Sequence, residues 1–151
     1  MSEKLFLWNV RGINTSDKHN NFRRWLSTHH ISLGALLETH IKEPSLPSIL
    51  NSLCPNWSFA TNHLSDPGGR IILIWKPHLN VTIIHQSRQS MTCRVDSLST
   101  DALYFTAVYA ANTDEERNDL WIELLDIQSS FFLENQPWLV GGDFNEITHP
   151  A

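Results

Sequence analysis

The chain has 151 residues, 41% of them hydrophobic and including six Trp and seven Phe, which is enough to fill the core of one ordinary domain. Its formal net charge of −5 with His neutral is the wrong sign for a module that holds nucleic acid by charge alone. An acidic metal-dependent enzyme stays open, because carboxylates can be neutralised locally by the cation they bind. Low-complexity tracts, fixed-period repeats and runs of like charge are absent, and no apolar run reaches the length of a membrane span or has the flanks of a secretory leader.

Residues 4 to 10, KLFLWNV, form a continuous apolar run before Asn9, as expected of a strand covered on both faces. Gly12 and the cluster Asn14, Thr15, Ser16, Asp17 break it. Phe22, Trp25, Leu26 and His29 recur at helical spacing with Arg23 and Arg24 on the other side, predicting an amphipathic helix over 18 to 29 that His29 and His30 close. A second buried run, 32 to 40, leads into Glu38. A short helix fits between Pro44 and Pro55, and a strand fits 57 to 61. Asp66, Pro67, Gly68 and Gly69 signal a turn before the β-branched strand RIILIW, which Pro77 ends.

Segments 80 to 85, 90 to 98 and 102 to 109 have the spacing of neighbouring antiparallel strands. Thr113 with Glu116 three residues on fits a capping box, and the acidic first turn complements the helix dipole. Leu120, Leu124, Ile127 and Phe131 follow at helical spacing, with Trp121 and Leu125 broadening the face. WLVGGDF then returns to a strand. Sheet packed on sheet with helices outside is the α/β arrangement this order suggests. Cys54 and Cys93 form no CxxC pair, so free thiols in a reducing compartment are the preferred reading, with one long-range disulfide as the alternative.

Apolar runs repeatedly end in polar residues capable of chemistry: Asn9, Glu38, Tyr109, and Asp143 with Asn145. Strand ends are where a rigid scaffold hands residues to a crevice. Residues two apart on an extended chain point the same way, so Asp143 and Asn145 can share a site while Phe144 anchors the opposite face, and Asn9 and Arg11 stand in the same relation. Carboxylate, amide and phenol oxygens of this kind suit Mg²⁺. Each residue taken singly also fits a cap, a turn former or a satisfied buried polar group. Gly141 and Gly142 lack the spacing of a P-loop or dinucleotide fingerprint. The eight histidines show no HxxxH or HExxH, and His149 falls in a loop before Pro150, so zinc is disfavoured.

The stretches WNVRGIN (8 to 14), LLETH (36 to 40), GGRIILIWKP (68 to 77), VYAANT (108 to 113) and VGGDFNEI (140 to 147) together resemble the N-terminal part of an endonuclease/exonuclease/phosphatase superfamily domain. Within it they are most similar to the endonuclease domains of plant LINE-type retrotransposons. The resemblance implies a four-layer α/β sandwich of the DNase I-like type and a Mg²⁺-dependent phosphodiesterase site, with Mn²⁺ as the alternative metal. By position, Glu38 would be the principal metal ligand and Asn9 would help hold metal or its waters. Tyr109 and Asn145 would contact the scissile phosphate, with Asn112 and Arg11 as further phosphate contacts. Asp143 would orient or deprotonate the attacking water. The ancestral substrate implied is DNA. Full-length relatives would be fused to a reverse transcriptase, and the location would be intracellular, nuclear if retroelement-like.

Two departures qualify the resemblance. Arg11 stands where many relatives have Asp or Asn, and the Asp-His element that closes the family's site has no counterpart before Ala151. The expectation is therefore one domain over 1 to 151, incomplete at its C-terminus, weakly active or inactive, and exposing an open sheet edge or apolar patches that would make it marginally stable and prone to aggregate. A non-catalytic retroelement-derived remnant and an α/β interaction module remain as the alternative functions.

Overall fold

The computed structural model describes residues 4 to 11, 16 to 97 and 100 to 145. Gly12, Asn14 and Thr15 of the first breaking cluster, Leu98, and the stretch containing Glu146, Ile147, His149 and Pro150 lie outside them. Strands β1 (Leu5–Asn9), β2 (Leu33–Leu37), β3 (Ser58–Thr61) and β4 (Ile71–Trp75) form one sheet in the order β1-β2-β4-β3. The β1/β2 pair is parallel, and both pairs involving β4 are antiparallel. Strands β5 (Asn80–Gln86), β6 (Ser90–Ser97), β7 (Thr100–Tyr109) and β8 (Trp138–Asp143) form the second sheet in chain order. Its first two pairs are antiparallel as the spacing predicts, while β8 lies parallel to β7.

Strand alternation sorts the side chains into layers. Leu33, Ala35, Leu37, Ile71 and Leu73 of the first sheet meet Met91, Cys93, Val95, Phe105 and Ala107 of the second, making the core between the sheets. On the other face of the first sheet, Phe6, Leu36, Ile72 and Ile74 pack under helices α1 (Ser16–His29) and α2 (Leu46–Leu53), through Phe22, Leu26, Leu50 and Leu53. The outer face of the second sheet presents Val108 and Val140 to α3 (Asp114–Ser130), through Leu120, Trp121 and Leu124. The result is helix, sheet, sheet, helix: the four-layer sandwich. Each fully buried large side chain, such as Phe22 or Phe105, contributes about 1.5–3 kcal/mol relative to exposure.

The continuous run 4 to 10 does not make a doubly covered strand. Only Phe6 of β1 is fully inside, and Trp8 is 42% exposed, because β1 is an edge strand whose outer face is covered by a single helix. Trp8 stacks on Phe22 of α1, with ring centroids 5.6 Å apart. The centre of the sheet is β2, all five residues of which are buried. Helix α3 is narrower in its apolar face than its sequence suggests: Leu120 and Ile127 are buried, but Leu125 is 64% exposed. Leu125 lies five residues from Leu120, about 140° around the helix and off the contact face. The N-cap is as expected, with Thr113 Oγ1 accepting from Glu116 N at 3.2 Å.

Cys54 and Cys93 are both buried and free, which removes the disulfide alternative. Burial pushes both thiols up to about 12, where almost no thiolate exists at neutral pH. A water-soluble aromatic disulfide reagent is therefore expected to leave both thiols unmodified in the native chain and to react with both after denaturation; rapid native labelling of either would contradict this packing.

Candidate active site

Strand parity brings the polar residues together. Leu5 and Leu7 of β1 face the inter-sheet core, so Asn9 at the C-terminal end of β1 does too. Tyr109 packs against the same core at the end of β7, and Asp143 is its register partner at the end of β8. Gly141 lies directly against the Leu7 side chain, and this close approach lets β1 of one sheet meet β8 of the other. The two sheet edges thus converge where their parallel strands end, and Asn9 Nδ2 donates to Asp143 Oδ2 at 3.0 Å across that junction.

Asn9/Arg11 and Asp143/Asn145 do line one cleft, but not by strand alternation. Arg11 and Asn145 have left-handed backbones, with φ of 48° and 49°, so each strand stops instead of continuing. In both places the side-chain oxygen of the first residue accepts the backbone N–H two residues on: Asn9 Oδ1 from Arg11 N at 3.1 Å and Asp143 Oδ1 from Asn145 N at 3.0 Å. These are matching Asx turns, in which the polar side chain replaces the missing ladder partner. Phe144 goes to the opposite face as expected, stacking on Trp121 with centroids 6.0 Å apart. Asn145 Nδ2 donates to Ala110 O at 2.6 Å, and buried Arg117 of α3 donates to the carbonyls of Ala111 and Asn145, each at 3.1 Å. The turn is thereby fastened to the helix behind it.

Glu38 follows β2 in a left-handed conformation, φ 57°, with its N–H donating to Arg70 O at 2.8 Å. Its carboxylate faces the Tyr109 phenol and helps hold the phenol's proton, and it lies 3.5 Å from Nε2 of His40. Burial, then the Glu38 charge, opposed by Arg70 and reinforced by Asp143, pushes the Tyr109 phenol above its usual value. Tyr109 is therefore a hydrogen-bond donor throughout the neutral range. The folded phenol holds its proton more tightly than the unfolded one, so its contribution to stability is present below about pH 10 and lost as pH rises through the folded-state value. Spectrophotometric titration, taken as the difference between the parent chain and Tyr109→Phe, is expected to show ionisation above the free-tyrosine range; ionisation at or below it would refute the arrangement.

Asn9, Arg11, Asp143 and Asn145 line a cleft of about 570 Å³ together with Leu7, Leu37, Gly142 and Phe144. Tyr109 and Asn112 line a second cleft of about 460 Å³, in which Arg70, Arg88 and Gln89 also stand. Of the residues expected from sequence, Asn112 meets the others only through the second cleft, which it shares with Tyr109. Arg70, Arg117 and Gln89 were not picked. Arg70 follows a Gly pair at the head of a strand, and that position was a usable signal. Gln89, whose Oε1 accepts from Ala111 N at 2.8 Å, gave none.

The charges of two carboxylates, Glu38 just after β2 and Asp143 at the end of β8, both bear on the Tyr109 phenol. Among the described residues no three His, Cys, Asp or Glu side chains gather as a self-sufficient metal cage. A cation here would rest on one or two carboxylates, an amide oxygen and waters or substrate oxygens, which is the mode Mg²⁺ takes. Among the described residues no helix is long and apolar enough to cross a membrane.

Residues 6–150 match the sequence profile of the Endonuclease/Exonuclease/phosphatase family. The fold is similar to that of a humanized TDP2 of D. rerio, at 18% identity and a TM-score of 0.65 over 95% of this chain and 66% of that one. It is also similar to D. rerio TDP2 complexed with a single-strand DNA product, at 15% identity and TM-score 0.66 over 95% of this chain and 61% of that one. An endonuclease/exonuclease/phosphatase family protein from Bacteroides thetaiotaomicron matches at 12% identity and TM-score 0.69 over 93% and 61%. The chain spans less than two thirds of the length of each of these three. No curated protein matches the sequence.

Proposed function

The chain belongs to the endonuclease/exonuclease/phosphatase family, and on that premise we propose that its strand-end cluster is a Mg²⁺-dependent site for hydrolysing a nucleic-acid phosphodiester. The observation that carries the proposal is the junction itself: Asn9 hydrogen-bonded to Asp143 across the two sheets, with Glu38 and Tyr109 paired beside it. Hydrolysis of a phosphodiester needs an oriented water and stabilisation of charge on the phosphoryl oxygens. Both oxygens of Asp143 are fixed by hydrogen bonds, which aims the carboxylate as a base for water. Asn9 holds that aim through Nδ2, and its carbonyl is the amide oxygen available to metal or metal-bound water. Glu38 is the principal metal ligand in this reading. The Tyr109 phenol, which faces Glu38 in the structure, is the donor available to a phosphate oxygen in the complex. Asn145 has one amide proton committed to Ala110 and one left for the phosphate. Arg11 offers a cation at the rim of the first cleft, and Asn112 a neutral amide at the rim of the second. A bound Mg²⁺ would supply charge neutralisation at the phosphate.

DNA is the proposed substrate class, supported by the single-strand DNA product held by one similar structure. Kinship with LINE-type retrotransposon endonucleases, with a fused reverse transcriptase and nuclear location, rests on the five sequence stretches. Mg²⁺ is preferred over Mn²⁺ only as the commoner partner of such donors. The second reading is a non-catalytic retroelement-derived remnant or interaction module, in which residues 1 to 151 keep the fold and turn over slowly or not at all. Nicking of supercoiled plasmid distinguishes the two: cleavage that requires Mg²⁺ and is abolished by EDTA and by Glu38→Ala supports hydrolysis, whereas equal background in every sample supports the remnant.

A further inference from the structure

Arg70 stands beside the polar cluster, and the roles above do not use it. It heads β4 directly after the Asp66–Gly69 turn, with its carbonyl held by Glu38 N. Buried Asp66 places Oδ2 at 3.3 Å from its Nε, and its guanidinium carbon lies 5.8 Å from the centroid of the Tyr109 ring. A carboxylate on one side and a ring face on the other restrict a side chain that would otherwise roam, so much of the ordering cost of binding is already met. The side chain is nevertheless 42% exposed, and among the described residues Nη1 and Nη2 have no hydrogen-bond partner. That leaves the two-pronged end of the guanidinium open toward the second cleft, where Arg88 is the other cation. Glu116, Asp119 and Glu123 line the same cleft, and their charges repel a nucleic-acid backbone from their part of it.

We infer that Arg70 is the substrate-holding residue of the second cleft, its guanidinium taking the backbone phosphate next to the scissile one along a nucleic-acid strand. This rests on the reading of the Asn9–Asp143 junction as the hydrolytic centre. A guanidinium fork matches two phosphate oxygens at once, and its seat on Tyr109 fixes the distance between that second phosphate and the reacting one. Arg70 thereby sets the register of the strand, while Asp66 and Tyr109 set Arg70.

The test is equilibrium binding of a fluorescent single-stranded decanucleotide in EDTA, followed by anisotropy over a range of salt. The parent for this test is Glu38→Gln, which separates binding from turnover. Adding Arg70→Gln is expected to weaken binding about tenfold or more at low salt and to flatten the plot of log K against log salt by about 0.7, the share of one phosphate contact on a single strand. Adding Arg70→Lys is expected to keep the slope and still weaken binding, because charge survives and the fork does not. If Arg70→Gln melts well below its parent, the Lys variant alone decides. Unchanged affinity in Arg70→Lys, an unchanged slope in a folded Arg70→Gln, or no binding by the parent at low salt overturns the assignment. Failure of Mg²⁺-dependent nicking in the unmutated chain would instead remove the hydrolase reading while leaving the strand contact of Arg70 as measured.

Discussion

Asp143→Ala is expected to lower the Mg²⁺-dependent nicking rate by about 10²- to 10⁴-fold, the range for losing a positioned general base. The structure adds a sharper form of the result. Asp143 does two things: it accepts from Asn145 N and Asn9 Nδ2, and it offers charge to a water. Asp143→Asn keeps an oxygen for the Asn145 turn, sets its own NH2 against Asn9 Nδ2 and removes the charge, so it should cost about 0.5–1.5 kcal/mol of stability and share the rate loss of the Ala variant. If Asp143→Asn nicks at the parental rate, Asp143 is a turn former and the hydrolytic role assigned to it is wrong.

Gly142→Ala is expected to cost about 2–6 kcal/mol of stability, the sum of backbone strain of about 1–3 kcal/mol and overpacking of about 1–3 kcal/mol. Gly142 has φ of 142°, which L side chains rarely adopt, and a Cβ there would run into the carbonyl oxygen and nitrogen of Val108, its register partner on β7. Backbone cannot rotate away as a side chain can. Against a typical total of about 5–15 kcal/mol, the upper end of that range would unfold the chain. Gly141→Ala is the control, since its Cβ meets only the Leu7 side chain, and it should cost less. Urea unfolding monitored by tryptophan fluorescence reads both, and a Gly142→Ala midpoint equal to the parent's would refute the geometry.

Much of the candidate site's clustering was legible because strand chemistry is periodic. Asn9, Glu38, Tyr109 and Asp143 each end an apolar run, and a run that ends in a polar residue marks the point where buried strand meets solvent. What periodicity could not convey is how the chain leaves the strand. Alternation placed Asn145 beside Asp143 by continuing the extended backbone, whereas the real link is a side-chain-to-backbone hydrogen bond around a left-handed residue. The same error of mechanism applies to Asn9 and Arg11. Neither case changes the cleft they share.

Other gaps are matters of sheet position. An apolar run specifies a strand but not whether it is central or at an edge, so β1 looked like β2, yet Trp8 is exposed where Leu36 is buried. Arg70 and Arg117 were missed because their roles depend on partners far away in sequence: Tyr109 for the first, the Asn145 carbonyl for the second. Arg117 also shows why a charged residue on a helix should not be assumed solvated. It is 6% exposed, and its charge is spent on carbonyls of the site turn and on Asp114.

The central claim is that residues from both sheets form one hydrolytic unit, and the most direct measurement is a double-mutant cycle on the Mg²⁺-dependent nicking rate with Glu38→Ala and Asp143→Ala. Groups that act as a unit are strongly non-additive. The predicted result is a double variant about as slow as the slower single one. Rate losses that multiply through the cycle, or a Mg²⁺-dependent rate that neither substitution changes, would contradict a shared site.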